Sequence, residues 1–441
     1  MNRLLRRMDL AEAGNARYPG ETARLLRIDG FLILAFFAGA LSPFSVNLVG
    51  LMPVGEVVLF GVFCYALIYI ALTHRWPSDL LEGRLFWVFM TAQFIAFTGY
   101  VFSDLIRGSS THDLARGWAR MAFLAIDLAA IALLAGRSRR SLVVLIIGQA
   151  VGACADTLVH GALFDDYWKF GYGSPLTHLA ILGGVPFGLM ATLVTTAVLG
   201  CVHLAMDFRS LGAQCILVAS ILAMLRLRPR VRLWLLPILI VISLAGGAAF
   251  YQWKQESGAS RATRSNVERS AMMTAAWEAF VESPILGNGS WFSNTPVMDR
   301  FLELRTEYAR REGLGGFTTS EVEEGLALHS QILVGLAEGG LAGGCFFFCY
   351  GIGLAWAIGY CAFFRQADGF SAIYLLTLTA ALSNLFFSPF SGEHRVAIAL
   401  AGGIILQFWQ EWRTRGQNDA AQLEEESESS VSPPFDSAYE R

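Results

Sequence analysis

The sequence predicts an all-α polytopic membrane protein: about twelve transmembrane helices and one large helical domain outside the bilayer. Three observations carry this prediction. Of 441 residues, 54% are hydrophobic and only 16% are charged, where soluble domains carry roughly 25%. Mean hydropathy is +0.49. Apolar stretches of about 18 residues or more recur along the chain, the length a helix needs to cross a bilayer. The net charge of −3 argues against a nucleic-acid partner.

Residues 1–28 are basic and too polar for the apolar core of a signal peptide, so they read as a cytoplasmic lead-in. Spans are expected at 29–50, 54–73, 85–105, 118–135, 142–163, 176–189, 190–207, 210–226 and 233–251, then at 338–363, 370–389 and 396–411. Within 176–207, Gly183, Gly184 and Pro186 allow either two short helices or one broken helix. This gives a bundle over 29–251, an outer domain over 252–337 and closing spans over 338–411. Residues 412–441 form an acidic tail, rich in serine and proline and expected to be disordered.

Arginine placement orients the bundle. Arg3, Arg6, Arg7, Arg75, Arg137, Arg139, Arg140, Arg226, Arg365, Arg413 and Arg415 fall on one side, which the positive-inside rule makes cytoplasmic. Residues 252–337 then lie outside the cytoplasm. Their patterns are helical. Val297, Phe301, Leu304 and Tyr308 share one face, and Met273, Trp277 and Phe280 share another with Arg269. Ser320 and Glu323 make a capping box before a stripe of Val322, Leu326, Leu333 and Leu336 that includes His329. The seven cysteines all lie in apolar segments and read as packing residues rather than a disulfide framework.

Several polar residues need explaining. His329 is either a satisfied packing histidine or a general base, since burial favours the neutral imidazole. Glu338 sits where a span begins, beside Gly339, Gly340, Gly343 and Gly344. It is either a helix-interface acid or a functional carboxylate. Arg209 is either paired with Asp207 or meets an anion. Arg264 and Arg269 open the outer domain, and several arginines converging on a histidine would clamp a phosphate. Gly287 and Gly289, in "SPILGNGSWF", mark a tight turn whose N–H groups could approach a ligand, without a Walker lysine. Lys169 and His178 could line the same cavity from a shorter outer loop. No metal-ligand cluster is visible.

Taken together, "RSAMMTAAWEAFVESPILGNGSWF" followed by "HSQILVGLAEGGLAGG" resembles the bacterial O-antigen ligase and polysaccharide polymerase family. The matching positions are Arg269, Trp277, Pro284, Gly287, Gly289, His329, Glu338 and Gly340, with Arg209 at the end of an earlier span. Ser330 stands where the family has asparagine, and Phe208 where serine is more usual. The resemblance implies a GT-C-like membrane fold in the bacterial inner membrane, with its active site facing the periplasm. It implies a metal-independent, inverting glycosyltransferase with no cofactor. The donor would be a glycan on undecaprenyl pyrophosphate, and the acceptor lipid A-core, as in lipopolysaccharide assembly, or a growing glycan. Arg209, Arg264 and Arg269 would hold the pyrophosphate. His329 would act as base, with Glu338 orienting it or holding the acceptor. A transporter or flippase of lipid-linked oligosaccharide or anions stays open as the alternative.

Overall fold

The computed structural model describes residues 29–47, 50–161, 166–227, 231, 234–235, 260–290, 295–314, 329–365 and 368–431. It is a helical membrane protein. Among the described residues, five helices are long and apolar enough to cross a bilayer: α2 (Val54–Thr73), α4 (Arg84–Arg107), α5 (Thr111–Arg137), α6 (Arg139–His160) and α12 (Gln331–Phe363). Shorter apolar helices are α1 (Gly30–Leu41), α8 (Leu189–Ala205), α9 (Arg209–Met224) and α13 (Ser371–Phe387). Large apolar side chains on their outer faces, such as Phe60, Ile68, Leu72, Phe94 and Leu158, are exposed. A run of apolar surface on this scale suits hydrocarbon rather than water.

The span expected at 29–50 is different. Helix α1 has 12 residues, about 18 Å, short of a bilayer core. The chain then turns into a hairpin, β1 (Ser45–Asn47) against β2 (Leu51–Pro53), paired Ser45 to Pro53. Pro43, just past the helix end, and Gly50, at φ +116°, end the helical pattern where hydropathy alone would run on. Between 176 and 207 there are two helices. A π-turn (Trp168–Tyr172), α7 (Gly173–Gly184) and a 3-10 turn (Val185–Phe187) run on from one another, and α8 follows Gly188 at φ +88°. The expected span 233–251 lies outside the described residues, apart from Trp234 and Leu235.

The last helix, α14 (Gly392–Val431), contains the span expected at 396–411 and continues through most of the acidic tail. The disorder expected over 412–441 is therefore corrected as far as Val431. The stretch "DAAQLEEESESS" holds good helix formers, and nothing breaks it before Pro433.

The two ends of the bundle differ chemically. At one end Arg139 and Arg365 both reach Glu411, at 3.1 and 3.5 Å, and Arg415 donates to the Phe364 carbonyl. At the other end lie the hairpin and two amphipathic helices, α10 (Ser260–Glu282) and α11 (Thr295–Arg311), packed on each other. Val297, Phe301 and Leu304 are buried as their spacing predicts. In α10 the buried face is Val267, Ala271, Ala275, Ala276 and Ala279, while Trp277 is exposed. Of the face that Met273, Trp277 and Phe280 share, Met273 and Phe280 are half-buried and only Trp277 is exposed. Alanines let α10 approach α11 and α12 closely, and Trp277 has no room on that side.

Helix α12 is broken at Gly340, where φ is +64° and ψ −159°. The turn after α10 docks into this break. Leu341 N–H donates to the Pro284 carbonyl at 2.8 Å, and Asn288 and Gly289 N–H donate to the Ala337 and Glu338 carbonyls at 2.8 and 3.0 Å. A Cβ on Gly340 would sit 2.3 Å from the Ile285 carbonyl oxygen. Gly340→Ala is expected to cost about 1–3 kcal/mol, read as a lower thermal midpoint in detergent. Gly359→Ala, in the same helix with nothing within 4 Å of its added carbon, is the control. Equal midpoints for the two variants would refute this account of the break.

Candidate functional site

The site is built from the α5 face that meets the hairpin. Arg116, Arg120, Phe123 and Asp127 recur at spacings of four, three and four, so they form one stripe of the helix. Arg116, Arg120 and Phe123 line a cavity of about 250 Å³, closed by Met52 of the hairpin and by Phe390, Ser391 and Arg395 at the start of α14. Gly50 packs directly over the Arg116 side chain. The cavity wall thus presents three guanidinium groups.

Two carboxylates neutralise part of this charge from behind. Glu338, 2% exposed, forms an ion pair with Arg120, whose guanidinium lies 4.9 Å from the Phe390 ring centre and 5.6 Å from that of Tyr100. Glu56, fully buried in the first turn of α2, takes Arg395 in a two-pronged pair, both bonds 2.7 Å. Asp127 lies beside that pair, close enough for its charge to interact with both partners. Neither Glu56 nor Glu338 lines the cavity. The carboxylates hold Arg120 and Arg395 in place at the cavity wall. That arrangement suits a multiply charged anion with planar oxygen pairs.

His329 does not lie on a leucine-lined helix face. Residues 315–328, which carry the expected capping box at Ser320 and Glu323, lie outside the described residues. Helix α12 starts at Gln331, and Ser330 is its N-cap, extended at φ −162° and accepting from Leu333 N–H at 3.3 Å. His329 is the residue before the cap. Serine and asparagine are equally good N-caps, which gives the Ser330 departure a physical reason. His329 is half-buried. Burial, and then the positive charge of Arg269, lower its pKa below the ordinary histidine value. His394 is also near enough to feel its charge, and the His394 Nδ1 pairs with the Ser391 hydroxyl at 2.7 Å. Ser391 lines the cavity and His329 does not, so the imidazole is related to the cavity only through the charge it exerts on His394.

The structure therefore brings Arg269 to His329, but Glu338 serves Arg120. The Arg269 guanidinium is the charged neighbour of His329, and the orienting role expected of Glu338 has no support in its pairing. Arg209 opens α9 and bonds Asp207 at 2.8 Å, with Asp207 held in the left-handed region at φ +58°. Arg264 is exposed on α10. Neither Arg209 nor Arg264 lines the cavity. The Gly287–Gly289 turn spends its N–H groups on the protein: Gly289 also donates to the Ser103 hydroxyl at 2.8 Å, and Ser290 to Asp104 at 2.6 Å. It is an anchor for α10, not a ligand cradle. The Lys169 ammonium lies 5.2 Å from the Phe170 ring centre, and His178 lines a different cavity.

The residues missed from sequence are Arg116, Arg120, Arg395, Glu56 and Asp127. Arg120, Asp127 and Glu56 fall inside expected spans, and a charge in a span is a functional or structural suspect by default. That signal is present in "RGWARMAFLAID" and in "VGEVVLFG". No protein-family model matches the chain, and no curated protein matches it.

Proposed function

We propose that the protein is a glycosyltransferase. It moves a glycan from a polyprenyl pyrophosphate, of the undecaprenyl type, to a sugar hydroxyl on lipid A-core or a growing glycan. One observation carries the reading: Arg116, Arg120 and Arg395 wall one cavity, two of them held by buried carboxylates, and its lining residue Ser391 bonds His394, which feels the charge of a half-buried His329. Sequence motifs from Arg269 to Gly340 point the same way by resemblance to O-antigen ligases and polymerases.

In this reading the guanidiniums hold the pyrophosphate and stabilise the charge that develops as it leaves. Fixed charges aimed at a developing anion usually contribute most to the rate of such reactions. His329 accepts the acceptor hydroxyl's proton. The new bond forms from that oxygen to the anomeric carbon as the bond to the pyrophosphate oxygen breaks, with inversion. Arg269 does not line the cavity, and its part in this reading is the positive charge it sets near His329. The chain would cross a bacterial inner membrane about twelve times, with the Arg139–Glu411 end in the cytoplasm and the hairpin end facing the periplasm.

The test is the surface polysaccharide profile of a deletion strain complemented with wild type or His329→Ala. Loss of glycan attachment with unchanged chain length is the outcome expected of a ligase. Single-repeat products are expected of a polymerase. An unchanged profile with His329→Ala would remove the transferase reading and leave the transporter reading in its place.

A further inference from the structure

A second cavity opens at the same end of the bundle as the hairpin, and its chemistry is the opposite of the first. It has a volume of about 450 Å³, between the end of α1, α6, the π-turn with α7, α13 and α14. This falls within the ~300–1,000 Å³ of small-molecule sites. Small residues create the space: Ala150 and Ala153 on α6 face Ala380 and Ala381 on α13. Polar groups on the same helices face into it. Gln149 lines it and brings an amide with both donor and acceptor capacity. Asn384 accepts from the Ser388 hydroxyl at 2.9 Å, which leaves its NH₂ group to donate. His178 uses Nδ1 on the Ser174 carbonyl at 2.8 Å, so Nε2 is available. Asp156 holds His160 through one carboxylate oxygen at 2.7 Å and has a second oxygen to offer. Phe170 adds an aromatic wall.

These groups sit near the outer helix ends and converge on one space, where water or a ligand rich in hydroxyls can meet them. An anion is disfavoured, because Asp156 lines the cavity and, among the described residues, no lysine or arginine does. Amides, one carboxylate oxygen, an imidazole and an aromatic ring are the groups that meet a ligand with many hydroxyls and no charge. We infer that this cavity is a binding site for neutral sugar, held by Gln149, Asn384, His178 and Asp156. It adds a saccharide subsite to the transferase reading. It rests on that reading only for which glycan arrives, not for the binding itself.

The experiment uses the full chain in nanodiscs of uncharged lipid, with saturation-transfer NMR to methyl β-glucoside, methyl β-galactoside and N-acetylglucosamine. At least one is expected to receive saturation on its ring protons. In Gln149→Leu and in Asn384→Leu that signal falls about fivefold or more, the effect of removing one hydrogen-bonding partner. Inorganic pyrophosphate binding, read in parallel, reports the arginine cavity and the integrity of the fold, and stays unchanged in both variants. No transfer to any of the three sugars would overturn the inference, as would equal transfer in wild type and both variants. Glucuronate bound as well as the glucoside would overturn it too. Failure of the transferase reading is seen separately, as absent pyrophosphate binding in the wild type.

Discussion

Glu338→Ala is expected to lower the stability of the folded protein by about 3–5 kcal/mol, the cost of leaving one member of a buried ion pair without its partner. Arg120 is 5% exposed and set between the Phe390 and Tyr100 rings, so water replaces little of the lost pairing even though one edge of the residue lines the cavity. The backbone contacts at the α12 break survive the substitution, because it is the Glu338 main-chain carbonyl that accepts from Ser103 at 2.7 Å and from Gly289. Glu56→Ala is expected to act alike through Arg395. The diagnostic is the double variant. Arg120→Leu with Glu338→Leu removes both charges and is expected to be more stable than either single variant. Thermal unfolding in detergent measures all of these. A Glu338→Ala midpoint equal to wild type would show that the pair contributes nothing, and the cavity wall would lose its proposed support.

That pair also shows how far the sequence can be read. Helices α4, α8, α9 and α13 lie within a few residues of the spans that apolar length predicts, because length and hydropathy are local properties. The partner of Glu338 is not local. Arg120 stands 218 positions away, and nothing in the spacing around Glu338 names it. Sequence spacing favours partners close by, and so it directs Glu338 to His329, nine positions earlier in the chain. The stripe Arg116, Arg120, Asp127 is visible as charge inside an apolar helix. Its meaning depends on Glu56 and Arg395, which arrive from α2 and α14. The Gly287–Gly289 turn misleads for a related reason. A glycine turn shows that N–H groups can reach something, and only the fold shows that they reach Ala337, Glu338 and Ser103. The charge of Arg269 does reach His329, though the helix expected to carry His329 begins after it.

His329→Ala is expected to reduce the transfer rate by about 10²–10⁴, the usual contribution of a positioned general base, with expression and membrane insertion unchanged. The pH dependence tests the role more sharply. A protonated imidazole cannot accept a proton, so activity requires neutral His329. Burial and the Arg269 charge both resist protonation. The acid limb of the rate profile is therefore expected below the ordinary histidine value of about 6.5, with activity present above the limb and lost as pH falls through it. Stability follows the same sign. Below the ordinary value the unfolded chain binds this proton before the folded one does, so stability falls with pH in that window. Arg269→Ala removes the smaller of the two causes. It is expected to move the limb toward higher pH while burial still holds it below the ordinary value. The other charged neighbour, His394, carries its own proton equilibrium, so His394→Gln is the control that separates its titration from that of His329. A limb that stays in place in Arg269→Ala, or that survives in His329→Gln, would remove the imidazole at 329 from the proton transfer.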